Sequence, residues 1–336
     1  MKGDMIGANL LGQSEQFKAV LKQIRRFANV GATVLISGES GTGKEQAARA
    51  LHYLGERSGK PFVPVNCGSL SEGLAESELF GHERGAFTDA KSASDGLIGE
   101  ADGGTLFLDE IDGLRPKAQT ALLRFLQDRT YRRLGGGALR HADVRIIAAT
   151  NGDLEQLSQA KQFRLDLYYR LNVLKLHMPS LRDRGDDALE MAKAFIRRLE
   201  YQYRMPAKRL HPEAVDFIRG YEWPGNIREL ENVLHRDFLM SESDEIRLTE
   251  ARANWTAVAQ AKTLFAKTCN SFKEAKARTV AEFERSYVRE LLTLTQGNLS
   301  AAARLAGKER SAFGKLARKY GIASCSHEAD ANEAPA

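Results

Sequence analysis

Apolar positions along the chain follow two rhythms. Over about residues 14–28 they recur at helical spacing, and "TVLIS" (33–37) then forms a short, nearly continuous apolar run. Such a run marks a strand covered on both faces. "PFVPV" (61–65), "GTLFLDE" (104–110) and "VRIIAATN" (144–151) repeat it, with helical segments between them. Strands and helices in strict alternation predict an α/β domain, a parallel sheet with helices on both faces. After Pro179 the strands stop. Helical spacing returns at about 186–204, 211–220 and 226–240, the last announced by the turn "WPGN", and predicts a small all-helical domain.

Residues 250–271 are Ala-rich and weakly patterned, as expected of a linker with a short helix, and a final helical block covers about 272–322. The tail "SCSHEADANEAPA" is polar and aperiodic, which predicts disorder. The expected division is therefore 7–180 (α/β), 181–245 (helical), 246–271 (linker), 272–322 (helical) and 323–336 (tail).

Composition narrows the class. With 336 residues, 43% hydrophobic and 28% charged, the chain can bury two or three cores. It has no run of about 18 apolar residues to cross a membrane, and "MKGDMIGANLLG" lacks the apolar stretch of a signal peptide. Cys67, Cys269 and Cys325 lie far apart without CxxC spacing, which predicts reduced thiols in a cytoplasmic protein. A net charge of +5 does not by itself argue for nucleic acid.

"GESGTGKE" (38–45) follows the first strand and opens a helix. The backbone of Gly38, Glu39, Ser40, Gly41, Thr42 and Gly43 can wrap a polyphosphate with its amides inward. Lys44 reaches the β/γ-phosphates, and the helix N-terminus adds positive potential. Glu45 stands where such loops usually carry a Ser/Thr metal ligand. "GGTLFLDE" (103–110) then ends a strand in Asp109–Glu110. Asp109 is placed to hold Mg²⁺, usually through water, and Glu110 to polarise an attacking water. A carboxylate pair that merely caps the next helix is outweighed by the phosphate loop upstream. ATP and Mg²⁺ are the expected ligands.

"GESGTGKE", "FGHERGAFTDA", "GGTLFLDEI", "RIIAATN", "FRLDLYYRLNV" and "WPGNIRELENV" fall in the order and spacing of the AAA+ domain of bacterial enhancer-binding proteins, the activators of sigma-54 RNA polymerase. The resemblance covers about 7–240, and a weaker one to the family's Fis-like DNA-binding domain covers about 272–322. It implies that Lys44 is the Walker A lysine and that Asp109 and Glu110 are the Walker B pair. Asn66 resembles the family's switch asparagine, Asn151 the sensor I residue and Arg228 the sensor II arginine of a helical lid. Arg164 and Arg170 resemble arginine fingers that reach the ATP of a neighbouring subunit, which implies a homo-oligomeric ring, a hexamer in the family.

The resemblance also gives a role to Gly85, Ala86, Phe87, Thr88, Asp89 and Ala90. "GAFTDA" matches five of six positions of the GAFTGA loop that contacts sigma-54, with Phe87 as a bare apolar tip and "YRRLGGGALR" (131–140) as a supporting loop. Asp89 stands where the family has glycine. It leaves open a working loop with shifted coupling, a suited sigma partner, or lost sigma-54 activation.

In the last block a long helix, a turn at Gly297–Asn298, a short helix to about Ala306, a turn at Gly307 and a final helix predict a helix-turn-helix, with Ala301–Ala303 allowing close helix crossing. Arg310, Ser311, Lys315, Arg318 and Lys319 are the expected DNA contacts. Gly314, mid-helix, costs about 1 kcal/mol against alanine, and is expected either to admit DNA or to weaken binding. Few residues precede the AAA+ pattern. That predicts control by a separate regulatory protein or by expression level, or a sensor that has been removed. Two other readings stay open: a regulator of ordinary promoters in which ATP serves assembly, and a general AAA+ remodeller or helicase loader.

Overall fold

The computed structural model describes residues 10–71, 73–88, 90–249, 251, 272–295 and 297–322. The chain divides into two units, residues 1–252 and residues 253–336. The linker core, the polar tail and Asp89 lie outside the described residues.

The first unit holds β1 (Val34–Ser37), β2 (Phe62–Asn66), β3 (Thr105–Asp109), β4 (Thr130–Tyr131), β5 (Arg140–His141), β6 (Arg145–Thr150) and β7 (Leu174–His177). Its helices are α1 (Glu15–Ala28), α2 (Lys44–Tyr53), α3 (Ala75–Phe80), α4 (Gly96–Glu100), α5 (Pro116–Asp128), α6 (Leu154–Gln159) and α7 (Leu165–Leu171). Five strands form a parallel sheet in the order β2-β3-β6-β1-β7, while β4 and β5 pair as a separate antiparallel hairpin.

Alternate side chains divide between the two faces. Val34, Ile36, Phe107 and Ile147 pack with Phe17 and Ile24 of α1 and Leu51 of α2. Leu35, Leu106, Leu108 and Ile146 pack with Leu122 and Phe125 of α5 on the other face. Burial on both sides explains the continuous apolar runs. β2 is an edge strand, which is why Pro64 is tolerated within it.

β7 is not among the four strands that the apolar runs announce. It forms the opposite edge, with Lys175 exposed and Leu176 buried, so its run is broken by polar positions.

At the N-terminal end of the sheet, Arg145 is only 4% exposed. Its guanidinium donates to Phe27 O (2.6 Å), Ala28 O (2.9 Å) and Leu51 O (3.3 Å). It thereby closes the last turns of α1 and α2, whose carbonyls have no partner within their own helices.

α8 (Asp187–Tyr203), α9 (Pro212–Gly220) and α10 (Asn226–Met240) follow and share a core that includes Phe195, Trp223, Leu230 and Phe238. Trp223 is buried and donates Nε1–H to Ile218 O at 3.0 Å, which anchors the "WPGN" turn. The expectation of an all-helical domain needs one correction. Two-residue strands β8 (Arg209–Leu210) and β9 (Glu245–Ile246) pair in parallel and bury Ile246 against the helices. Runs this short carry no legible period.

The second unit contains α11 (Phe272–Leu294), α12 (Leu299–Leu305) and α13 (Arg310–Lys319). Asn298 caps α12, accepting from Ser300 N and Ala301 N at 3.1 Å each. Val288, Leu291, Ala302, Ala303, Phe313 and Ala317 form the shared core. Gly314 faces this core. A methyl group there would lie 3.3 Å from Leu299 Cδ2, so its missing side chain lets α12 and α13 close together. Gly314 thus packs against the unit's own helices, which is a role that the sequence did not suggest.

Candidate functional site

The C-terminal ends of parallel strands are where α/β sheets bind ligands. Here the turn after β1 and the ends of β3 and β6 border one cavity of about 550 Å³. The turn is residues 38–43. Gly41 (φ +77°) and Gly43 (φ +91°) are left-handed, a region glycine enters without strain. Gly41 also abuts Gly225 O so closely that no side chain fits.

Lys44 Nζ donates to Gly38 O (2.8 Å) and Glu39 O (3.0 Å), and Thr42 Oγ1 donates to Glu39 O (2.8 Å). Burial lowers the Lys44 pKa, opposed by the carboxylates of Asp109, Asp112 and Glu110. The Asp109 pKa is raised by burial, against the pull of the Glu110 amide and Lys44. Glu110 has φ +51°, an unusual backbone for a non-glycine residue, and its amide donates to Asp109 Oδ1 at 3.0 Å.

Asn151 is held by its neighbours: Thr150 Oγ1 donates to Asp112 Oδ1 (2.6 Å) and accepts from Gly152 N (3.0 Å). Arg228 lines the cavity and reaches Ser40 Oγ at 3.4 Å. Ser40, Gly41, Thr42, Gly43, Lys44, Glu45, Asn151, Arg228, Asp109 and Glu110 thus all border one space.

Gly38 and Glu39 lie outside the lining. Their carbonyls hold Lys44, and the Glu39 carboxylate turns to Arg182 and Asn226. Asn66 pairs in register with Asp109, and its Oδ1 accepts from Ser69 N at 3.1 Å. Gly68 sits between Asn66 and Glu110, where a methyl group would approach Glu110 Oε2 to 2.9 Å. Beside them Cys67 is buried, and burial with the nearby carboxylates pushes its thiol up to about 12, so it stays protonated at neutral pH.

The sequence pattern does not reveal the apolar wall of the cavity, made by Leu10, Leu11, Phe17, Met191, Phe195 and Ile227. The wall is strapped by Arg184 and Asp187, both buried. Asp187 accepts from Gln13 N (2.6 Å), Ser14 N (3.0 Å), Ser14 Oγ (2.7 Å) and Arg184 Nε (3.0 Å). The Arg184 guanidinium lies 3.7 Å from the Phe17 ring centroid.

Arg164 and Arg170 do not border this cavity. Arg164 is the N-cap of α7, exposed and paired with Asp166 at 2.7 Å, and Arg170 is exposed in the last turn of α7. Arg164 thus precedes the helix and Arg170 lies on it.

The Phe87 loop is folded back rather than bare-tipped. Phe87 is half-buried, with its ring edge-on to His82 at 5.0 Å. Gly85 N donates to Ala90 O (2.9 Å), Ala90 N to Phe87 O (3.0 Å) and Ala86 N to Glu83 O (3.1 Å), while Thr88 stays exposed. The loop root is zipped to the β4–β5 hairpin by Glu83 N→Leu134 O and Leu134 N→Gly81 O, both 2.9 Å.

In the second unit Arg310, Ser311, Lys315, Arg318 and Lys319 all lie on α13. Arg310, Ser311, Lys315, Arg318 and Lys319 are all exposed, and Lys319 bonds Glu284 at 3.1 Å.

A parallel sheet with a phosphate loop at its C-terminal edge, acidic residues on an adjacent strand and a helical lid over the cavity define an AAA+ ATPase. The chain belongs to the sigma-54 interaction family: residues 10–177 match the sigma-54 interaction domain and 182–268 the AAA+ ATPase lid domain. It is 40% identical over 315 residues to the nitrogen fixation protein AnfA of Azotobacter vinelandii, covering 94% of this chain and 58% of that protein. It is 43% identical over 310 residues to the transcriptional regulatory protein ZraR of Salmonella typhi, covering 92% and 68%. The crystal structure of NtrX from Brucella abortus in complex with ATP superimposes with a TM-score of 0.69 at 30% identity, covering 93% and 69%. The chain therefore spans between just under three fifths and about two thirds of these relatives' lengths.

Proposed function

We propose that this chain is an ATP-dependent transcriptional activator. It binds enhancer DNA through its C-terminal unit, assembles into a ring, and uses ATP hydrolysis to work the Phe87 loop against sigma-54 RNA polymerase. The observation that carries the reading is the convergence of Lys44, Asp109, Glu110, Asn151 and Arg228 on one cavity that also has an apolar wall.

The residues divide the work. Lys44 and the loop amides bind the β- and γ-phosphates, Glu110 orients and deprotonates the attacking water, and Asn151 fixes that water's approach. Asp109 is the carboxylate suited to Mg²⁺, which would neutralise phosphate charge when bound. No cluster of three or more metal-ligating side chains exists among the described residues. That fits an ion held largely by phosphates and water. Arg164 and Arg170 lie outside the lining of their own cavity, which supports their action at a neighbouring copy. Asn66, in register with Asp109, is suited to link nucleotide state to the chain beyond β2.

For the second unit, α12, the turn at Gly307 and α13 have the order of a helix-turn-helix. Arg310, Ser311, Lys315 and Arg318 suit phosphates and base edges. A cytoplasmic setting accompanies this reading.

The test is open-complex formation on a sigma-54 promoter by purified sigma-54 polymerase, this protein and ATP. ATP-dependent promoter melting is the expected result. ATP hydrolysis without melting would overturn the sigma-54 assignment and favour a regulator of ordinary promoters.

A further inference from the structure

Asn226 is completely buried at the first position of α10, with φ +53°. Its side chain meets three segments at once. Oδ1 accepts from Leu181 N at 2.7 Å, where the chain enters the lid. Nδ2 donates to Ser40 O at 3.0 Å and to Glu39 Oε2 at 3.1 Å, both in the phosphate loop. The next residue adds Ile227 N→Gly41 O at 3.0 Å. Glu39 is itself paired with Arg182, beside Leu181, so phosphate loop, lid helix and lid entry form a closed ring of contacts.

Few residues can occupy this position. It demands one acceptor and two donors on a short side chain, together with a left-handed backbone that asparagine tolerates better than most. Glycine meets the backbone demand and makes none of the links. Aspartate keeps the bond from Leu181 N but turns an oxygen towards Ser40 O and a second carboxylate. Each buried bond left unmade leaves a polar group without its partner, and bound phosphates then meet a looser loop.

We propose that Asn226 is a positioning residue for ATP turnover: it locks the lid to the phosphate loop so that Arg228, two residues on, faces the phosphates. Arg228 lines the cavity and touches Ser40, the residue whose carbonyl Asn226 holds. Displacement of the Ser40–Gly41 backbone by bound phosphates is thus felt at the start of α10, through the Asn226 amide group and the Ile227 N–H.

The inference rests on reading the cavity as an ATP-hydrolysing site. The experiment measures steady-state ATP turnover and binding of a fluorescent ATP analogue for the full chain and for Asn226→Ala, Arg228→Ala and the double variant. Asn226→Ala is expected to lower kcat roughly tenfold or more, with a much smaller change in analogue affinity. The double variant is expected to match Arg228→Ala alone, because Asn226 acts through that arginine. Asn226→Asp is expected to be slower still. Adding Glu39→Gln to it should recover part of the loss, since the amide introduced by that second change can donate to the new carboxylate.

Should Asn226→Ala fail to fold, Asn226→Gly removes the backbone strain and carries the same cycle. Wild-type kcat in Asn226→Ala and Asn226→Gly overturns the proposal, as does a double variant whose loss equals the product of the single losses. A wild-type chain that neither binds the analogue nor turns over ATP removes the ATPase reading and this inference together. Activity in the wild type with no effect of the variants removes the inference alone.

Discussion

The guanidinium of Arg133 lies 3.1 Å from the Glu83 carboxylate and also grips Asp95, so one side chain of the β4–β5 hairpin holds both roots of the Phe87 loop. Arg140 joins the same carboxylates, at 3.1 Å from Asp95. Arg133→Gln should release the roots. Charge-assisted bonds contribute roughly 1.5–3 kcal/mol, less here because the carboxylates are partly exposed. Hydrogen exchange of residues 83–95 should quicken by about tenfold, with the sheet unchanged. Unchanged exchange in the loop would show that the backbone bridges alone hold it.

Lys44 bonds backbone carbonyls of its own loop, so its removal should spare the fold and remove phosphate affinity. Lys44→Ala is expected to weaken ATP binding roughly 10- to 100-fold. Calorimetric titration reads the affinity, and an unshifted melting temperature excludes global damage.

Arg164→Ala tests whether a side chain outside its own cavity serves another. ATP affinity is expected to hold while turnover falls, by about 10³-fold if the arginine stabilises transferred charge. Turnover that rises steeply with protein concentration in the wild type, and not in the variant, would locate the arginine at a junction between copies.

The Asp187 carboxyl is held below its ordinary value of 3.8: burial pushes it up, but the amides of Gln13 and Ser14, the Ser14 hydroxyl and Arg184 outweigh that push. Its stabilisation is complete above 3.8 and drains away as pH falls below that value towards the lowered one. Asp187→Asn leaves Arg184 buried without its partner, at a cost of about 3–5 kcal/mol. Urea midpoints of the two proteins should therefore differ widely at pH 7 and converge below pH 3.8. A pH-independent gap would refute the titration.

Gly314→Ala sets a gain in helix propensity of about 1 kcal/mol against a contact with the flexible end of Leu299. Protection of α12 and α13 amides should hold or rise slightly. Gly314→Leu overfills the crossing and should lower stability by about 1–3 kcal/mol. Equal tolerance of both would place Gly314 outside the helix contact.

The site is legible in the sequence where its chemistry is local. A phosphate loop needs its glycines and lysine within one turn, so "GESGTGKE" carries the signature intact. The apolar wall of the cavity is not legible, because Leu10, Phe17 and Phe195 come from distant segments and look like any core residues. Asn226 is hidden for a different reason. "WPGN" announces a turn, and only the folded chain brings that amide beside Ser40 and Leu181. β7 escapes notice because an edge strand need not be apolar throughout, and Gly314 misleads because one sequence does not show which face of a helix is covered. Phe87 reads as exposed because its cover, His82, lies five residues back across a fold in the loop.

Arg145 ties the C-termini of α1 and α2 to the N-terminal rim of the sheet, the rim farthest from the phosphate loop. The floor of the domain is accordingly clamped by one guanidinium, and its ceiling is tied to the lid through Asn226. A ligand that shifts the Ser40–Gly41 backbone therefore meets the lid first, through bonds that the two already share.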